Sequence, residues 1–166
     1  SLVPLAKTAK WLGINVDTKV NSSFHVSDII PKLSRRVQIM QALAGSTFGQ
    51  CKETLVRTYK ALLRPLMENG CQIWAPNASD TSIKRLQVIQ NKALRVATGG
   101  HMSTPIAHLH TETGVMPVKD HIELLNSQYL VNALQRSHPS HSVVTSTSGP
   151  RRMKHTLHSK YHSKIE

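Results

Sequence analysis

Apolar positions change period along the chain, and the elements follow from that change. Over residues 1–17 alternation is loose. Leu2, Val3 and Leu5 lead through Lys7-Thr-Ala-Lys10 into Trp11-Leu-Gly-Ile-Asn-Val-Asp17. Trp11, Ile14 and Val16 suit strands, and Gly13 permits a close backbone approach or a bulge. A hairpin is predicted. Two lone strands are marginal in water, so it is expected to belong to a larger sheet. From Ser22-Ser23 the period turns helical: Ile29 or Ile30, Leu33, Val37, Met40 and Ala44 fall at three- and four-residue steps, and Gly45 ends the run. Lys32, Arg35 and Arg36 lie off that stripe. Pro31 cannot donate to the preceding turn and clashes with it, so the helix is expected to start there or to kink there.

The next helix is predicted from about Gln50 to Asn69, burying Leu55, Tyr59, Leu62, Leu66 and Met67, with Pro65 bending its last turn. Lys52, Arg57, Lys60 and Arg64 fall mostly outside that stripe. A glycine stop at Gly70 leads into a short apolar arm, Cys71-Gln-Ile-Trp-Ala-Pro76. A third helix spans about Thr81 to Ala97, N-capped by Ser79 or Asp80, with Ile83, Leu86, Ile89 or Gln90, Ala93 and Ala97 facing inward. Lys84, Asn91 and Arg95 form an outer row on it, with Arg85 and Lys92 alongside, and Gly99-Gly100 closes it. Ser103-Thr-Pro105 reads as a cap with proline at the first helical position, opening a short helix to about His110. Gly114 turns the chain, and Pro117 opens a longer helix aligning Val118, Ile122, Leu125, Tyr129 and Ala133. From Ser137 the apolar period is lost. Ser, His, Thr, Lys and Arg fill the tail to Glu166, which has too few apolar groups to offset ordering entropy.

Charge narrows the partners. The 166 residues carry 21 Lys and Arg against 9 acidic residues, a formal +12, with 10 histidines besides. Such an excess favours phosphate-rich partners, because neutralising phosphates releases bound counterions. The plainer reading is a solvated surface that keeps the chain soluble. No apolar run approaches a bilayer-spanning length, so a membrane is not an expected partner. Cys51 and Cys71 make neither a zinc pattern nor a disulfide framework, which points to reduced thiols in nucleus or cytosol. Aromatic residues are only 4% of the chain, so base stacking is not expected to dominate any nucleic-acid contact. The chain opens at Ser1 with Leu2-Val-Pro-Leu5 already reading like the interior of a longer sequence, and is expected to be a fragment or a processed piece.

Candidate chemistry is sparse. Paired aspartates would be needed to hold two magnesium ions for nucleotidyl transfer. Asp17, Asp28, Asp80 and Asp120 instead suit a strand end, a helix start, an N-cap and a first helical turn. No catalytic residue and no metal ligand is expected. His101, His108 and His110 lack the further ligands a metal site needs, and the tail histidines His138, His141, His155, His158 and His162 suit a polybasic linker better. The basic rows are the positive sign. Lys84, Arg85, Lys92 and Arg95 keep cations along one side of a helix, where they would grip a phosphate backbone rather than read bases.

The order of several blocks resembles the region after the catalytic palm in the reverse transcriptases of non-LTR retrotransposons, especially the jockey type. Lys10-Trp-Leu-Gly-Ile-Asn-Val-Asp17 is similar to the family's Lys-Tyr-Leu-Gly-Val-x-Leu-Asp segment, the primer-grip hairpin. Leu43-Ala-Gly-Ser-Thr-Phe-Gly-Gln50 with Tyr59-Lys-Ala-Leu-Leu-Arg-Pro65 resembles the start of the thumb. Trp74-Ala-Pro76 with Leu86-Gln-Val-Ile-Gln-Asn-Lys-Ala-Leu-Arg95 resembles its next helix, and Pro105 and Gly114-Val-Met-Pro117 continue the order. The resemblance covers about residues 7–137. Pro31 and Asn69, where the family often has Tyr, depart from it as in a decayed or divergent copy. It implies a parent that copies RNA into DNA, with fingers, most of the palm and the Tyr-x-Asp-Asp loop ahead of Ser1. That parent would use Mg2+, and no cofactor is expected in this fragment. Trp11, Leu12 and Gly13 would form the turn that positions a primer end.

The combined expectation is a mainly α chain. Residues 1–22 form a palm-end hairpin, 23–100 a helical thumb, 101–137 a helical connection and 138–166 a disordered basic linker. Its expected partners are an RNA–DNA or DNA duplex and the palm and fingers of the parent chain, in nucleus or cytoplasm. The isolated fragment is expected to be inactive. The alternative is a non-enzymatic basic helical interaction protein, or a transposon relic without function.

Overall fold

The computed structural model describes residues 8–17, 23–45 and 49–142, with the side chains of residues 8, 9, 11, 16 and 17 outside that description. It is mainly helical, as the apolar periods predict. Strand β1 (Thr8–Trp11) pairs antiparallel with β2 (Ile14–Asp17), with Thr8 opposite Asp17 and Trp11 opposite Ile14. The support for this hairpin among the described residues is helical rather than a larger sheet. Ile14 is buried in the helical core, and β2 lies against the next element, α1.

Helix α1 runs Ser23–Leu43 with Pro31 inside it, so the reading in which Pro31 opens the helix is corrected. His25, Val26 and Ile29 are buried and extend the apolar stripe of Leu33, Val37 and Met40 upstream. That packing outweighs the single backbone bond the proline removes, and Pro31 itself is exposed.

The helix expected over Gln50–Asn69 is instead two, α2 (Lys52–Leu62) and α3 (Arg64–Glu68), broken at Leu63. Pro65 has no N–H for the carbonyl four residues back, which permits a bend or a break, and the burial of Leu63 and Met67 makes it a break. Leu55, Tyr59, Leu63 and Met67 are buried, while Leu62 and Leu66 are only partly so. Leu55, Tyr59 and Met67 are thus inward as expected, and Leu63 takes the place expected of Leu62. The apolar arm is itself helical, as α4 (Cys71–Trp74) followed by a 3-10 turn, Ala75–Asn77.

Helix α5 (Asp80–Thr98) is capped by Ser79, whose hydroxyl accepts from the Ser82 amide at 3.2 Å, and it ends at Gly99 in the left-handed conformation. It is the centre of the fold. Its packing with α1 is the most extensive between any two elements, and α2, α6 and α7 surround its other sides. Helices α6 (Ile106–Thr113) and α7 (Val118–Ala133) follow. Pro105 is the N-cap of α6 rather than its first residue, and α6 continues past His110 to the turn at Gly114.

The α6–α7 loop is tied to α5 by buried amides. Gln90 Nε2 donates to the Tyr59 hydroxyl at 2.9 Å and to the Met116 carbonyl at 3.0 Å. Its Oε1 accepts from the Val118 amide at 3.1 Å, which Gln87 Oε1 also meets at 2.9 Å. Of the expected linker, residues 138–142 are described. The Tyr129 hydroxyl lies 3.1 Å from Ser140 Oγ, and the Tyr129 ring meets the His138 ring edge-on. The remainder of the linker, 143–166, lies outside the described residues.

Candidate nucleic-acid interface

Two features from the sequence can be located: the turn after β1 and the basic side of α5. The turn is left-handed at both residues, with φ 48° at Leu12 and 84° at Gly13. A positive φ is strained for a leucine, and Leu12 is also 84% exposed, so neither local conformation nor burial explains it. The backbone and side chains around it do the holding. Asn69 Nδ2 donates to the Leu12 carbonyl at 3.4 Å, and Trp74 Nε1 donates to the Asn69 carbonyl at 2.9 Å. On the other side of the turn the Asn15 amide donates to His25 Nδ1 at 3.4 Å. The His25 ring sits 5.7 Å from the Trp74 ring, and burial lowers its pKa below the usual imidazole value. Sequence reasoning singled out neither His25 nor Asn69 as a support. The only signal was a histidine in phase with an apolar stripe and an asparagine at a helix end. Of Trp11 only the backbone is described.

On α5 the outer row of Lys84, Asn91 and Arg95 is corrected. Asn91 is buried and accepts from Gln87 Nε2 at 2.8 Å. Arg95 is half-buried, with NH2 directed at the Thr104 carbonyl at 3.4 Å. Packing of α6 against this side of α5 is the reason, since the sequence pattern does not reveal a neighbour on a polar face. Lys84, Arg85 and Lys92 are exposed and surround Val88, itself 63% exposed, at one helical turn on either side. Three of the four expected cations therefore share an open face. Arg64, expected outside the core, is also largely covered: its NH2 donates to the Met116 carbonyl at 2.7 Å and Nε lies 3.3 Å from Glu68.

The α5 face continues onto α1. Arg85 NH1 donates to Ser27 Oγ at 3.1 Å near the start of both helices, and Gln41 and Ala44 share a cavity with Lys92 and Arg95 near their ends. The two helices therefore run parallel. Ser27 and Gln41 lie on the side of α1 that meets α5, and Ser34 and Gln38 fall on the same helical face by their spacing. They offer hydroxyl and amide donors beside the cations. Asp28 is paired with Lys32 at 2.6 Å, Glu68 with His121 at 2.8 Å and Glu112 with Lys52 at 3.5 Å, which leaves Asp80, exposed in the first turn of α5 before Lys84, as the acid on this helix. The hairpin and the basic face meet the same end of α1 on opposite sides, His25 toward the hairpin and Ser27 toward α5. Among the described residues no group of three or more His, Cys, Asp or Glu could hold a metal ion, and no helix is long and apolar enough to cross a membrane.

Comparison with known proteins gives this arrangement a lineage. The chain is 35% identical, in an alignment of 147 positions that covers 82% of it, to a probable RNA-directed DNA polymerase from transposon X-element of Drosophila melanogaster. It is homologous to a segment of non-LTR retrotransposon reverse transcriptases. Two more relatives of this kind come from the same organism. A probable RNA-directed DNA polymerase from transposon BS is 26% identical over 78% of the chain. The RNA-directed DNA polymerase from mobile element jockey is 24% identical over 73% of it. This reverse-transcriptase-related segment spans only 16%, 14% and 13% of those proteins. No protein-family model matches it, and no solved structure does.

Proposed function

We propose that the chain grips a template–primer duplex, RNA–DNA or DNA, by its sugar–phosphate backbone, as a thumb-like clamp for nucleotidyl transfer carried out elsewhere in a larger polymerase. The observation that carries this reading is the exposed face of Lys84, Arg85 and Lys92 on α5, running beside hydroxyl and amide side chains of α1. Point charges and short polar donors in a line suit phosphates, which are evenly spaced and carry no base identity. The Leu12–Gly13 turn, with Trp11 before it, is the proposed primer-end support. Its strained, exposed tip is held by Asn69 and His25 rather than by its own preferences. Catalytic aspartates, and the Mg2+ they would hold, are proposed to belong to other parts of the parent, in nucleus or cytoplasm.

A second reading is a helical interaction protein without enzymatic activity. Leu124 and Val131 favour it, being exposed on α7 a heptad apart.

Duplex binding measured at two salt concentrations separates the readings. Backbone gripping predicts dissociation constants of roughly 10⁻⁴ to 10⁻⁶ M that weaken steeply as salt rises. Absent or salt-independent binding defeats it. Primer extension by the chain alone with Mg2+ is expected to be nil.

A further inference from the structure

Where α1 and α5 end, Gln41, Ala44, Lys92, Arg95, Val96, Gly99, Gly100 and Met102 enclose an open cavity of about 360 Å³. Among the described residues no carboxylate lines it. One wall is Arg95: its Nε is buried with no hydrogen-bond partner among the described residues, and its NH2 makes only a 3.4 Å contact with the Thr104 carbonyl. A guanidinium carries five donors, and a fork that lines the cavity while making one long contact has donor capacity left for an acceptor from outside the chain.

We propose that this cavity is the seat for a single phosphate group of a nucleic-acid strand, held by Arg95 and Lys92. The proposal rests on the duplex reading above and assigns one position within it. The planar fork of an arginine matches phosphate oxygens, and Lys92 adds a mobile point charge from the rim. The end of a helix ordinarily repels an anion through its free carbonyls. Here one of those carbonyls, that of Arg95, already accepts from the Gly99 and Gly100 amides, and the side chains of Lys92 and Arg95 bring two positive charges to the same end. That opposition is therefore weakened. Gly99 keeps one side open, since a β-carbon there would meet nothing within 4 Å. Ala44, Val96 and Met102 give an apolar wall against which the attached sugar can lie. The volume falls within the range of about 300–1,000 Å³ usual for small-molecule sites, more than a bare ion needs.

The test is an NMR titration of the full chain following the Arg95 Nε–H resonance, identified by its loss in Arg95→Lys. The probes are inorganic phosphate, a nucleoside 5′-monophosphate and the unphosphorylated nucleoside. The seat predicts a saturable shift with both phosphates and none with the nucleoside. Lys92→Gln should weaken phosphate binding about two- to fivefold, and Lys60→Gln, on the exposed side of α2 away from the cavity, should leave it unchanged. An unmoved resonance in a chain that still binds duplex with strong salt dependence overturns the seat and leaves the duplex reading standing. A resonance that responds to phosphate in a chain that binds no duplex overturns the nucleic-acid assignment.

Discussion

The side chain of Ile14 fills the space that a β-carbon on Gly70 would occupy. Gly70 links α3 to α4 with φ 59°, so it is needed twice, for its left-handed turn and for the room it leaves the hairpin. Replacing Gly70 by Ala should cost about 1–3 kcal/mol, as overpacking does in other cores. Denaturant unfolding would show it as a lower midpoint. Hydrogen exchange at the Asn15 amide should accelerate as the hairpin loosens, and an unchanged midpoint would contradict the packing described.

A second prediction concerns pH. His25 Nδ1 accepts from the Asn15 amide, so the ring must be neutral at that nitrogen, and burial lowers its pKa from 6.5. The nearby Asp28 opposes this shift and Lys32 adds to it. A lowered pKa in the folded state means that the unfolded chain takes up a proton first on acidification. His25 therefore contributes stability in full above about pH 6.5, and that stability is lost as pH falls from there toward the folded value. Thermal melts of the wild type between pH 7.5 and 5 should show this slope, and His25→Phe should flatten it. An equal slope in both proteins would show that other groups carry the effect.

How much of this could be read from the sequence depends on what each residue's neighbour is. Helix α5 was legible because Ser79, the Leu86–Ala93–Ala97 spacing and Gly99 all give the same element. The break at Leu63 was not, because Pro65 could equally bend a helix or end it, and only the packing of Leu63 and Met67 decides between these. The basic side of α5 was legible as charge but not as surface. Lys92 and Arg95 look alike on a helical wheel, yet α6 and its preceding loop cover one and leave the other open. The supports of the hairpin turn, His25 and Asn69, come from distant segments, and no local pattern could announce them.

A third prediction separates surface from scaffold on α5. Each of Lys84→Gln, Arg85→Gln and Lys92→Gln should reduce the salt slope of duplex binding by about 1, with similar losses for unrelated sequences. Val88 lies among these cations and is exposed, so Val88→Glu places a carboxylate there with little cost to the fold. It should weaken duplex binding more than Val88→Gln does, and most strongly at low salt. Equal effects of the two substitutions would mean that this face is not where the backbone lies.

The last prediction tests whether the α6–α7 loop is fixed through Gln90. Replacing Gln90 by Leu leaves the Met116 carbonyl with Arg64 and the Val118 amide with Gln87, so those two groups keep partners. The Tyr59 hydroxyl loses the bond from Gln90 Nε2 while remaining buried. The substitution should therefore cost about 1 kcal/mol, the lower end for a lost buried hydrogen bond, because the Tyr59 hydroxyl keeps Arg64 as a second partner. Tyr59→Phe removes that hydroxyl as well as the need to satisfy it. Made together, the two changes should cost less than the sum of each alone, with a coupling of about 0.5–1.5 kcal/mol in a double-mutant cycle read from denaturant midpoints. Strict additivity would mean that Gln90 holds the loop through Met116 and Val118 alone, independently of α2.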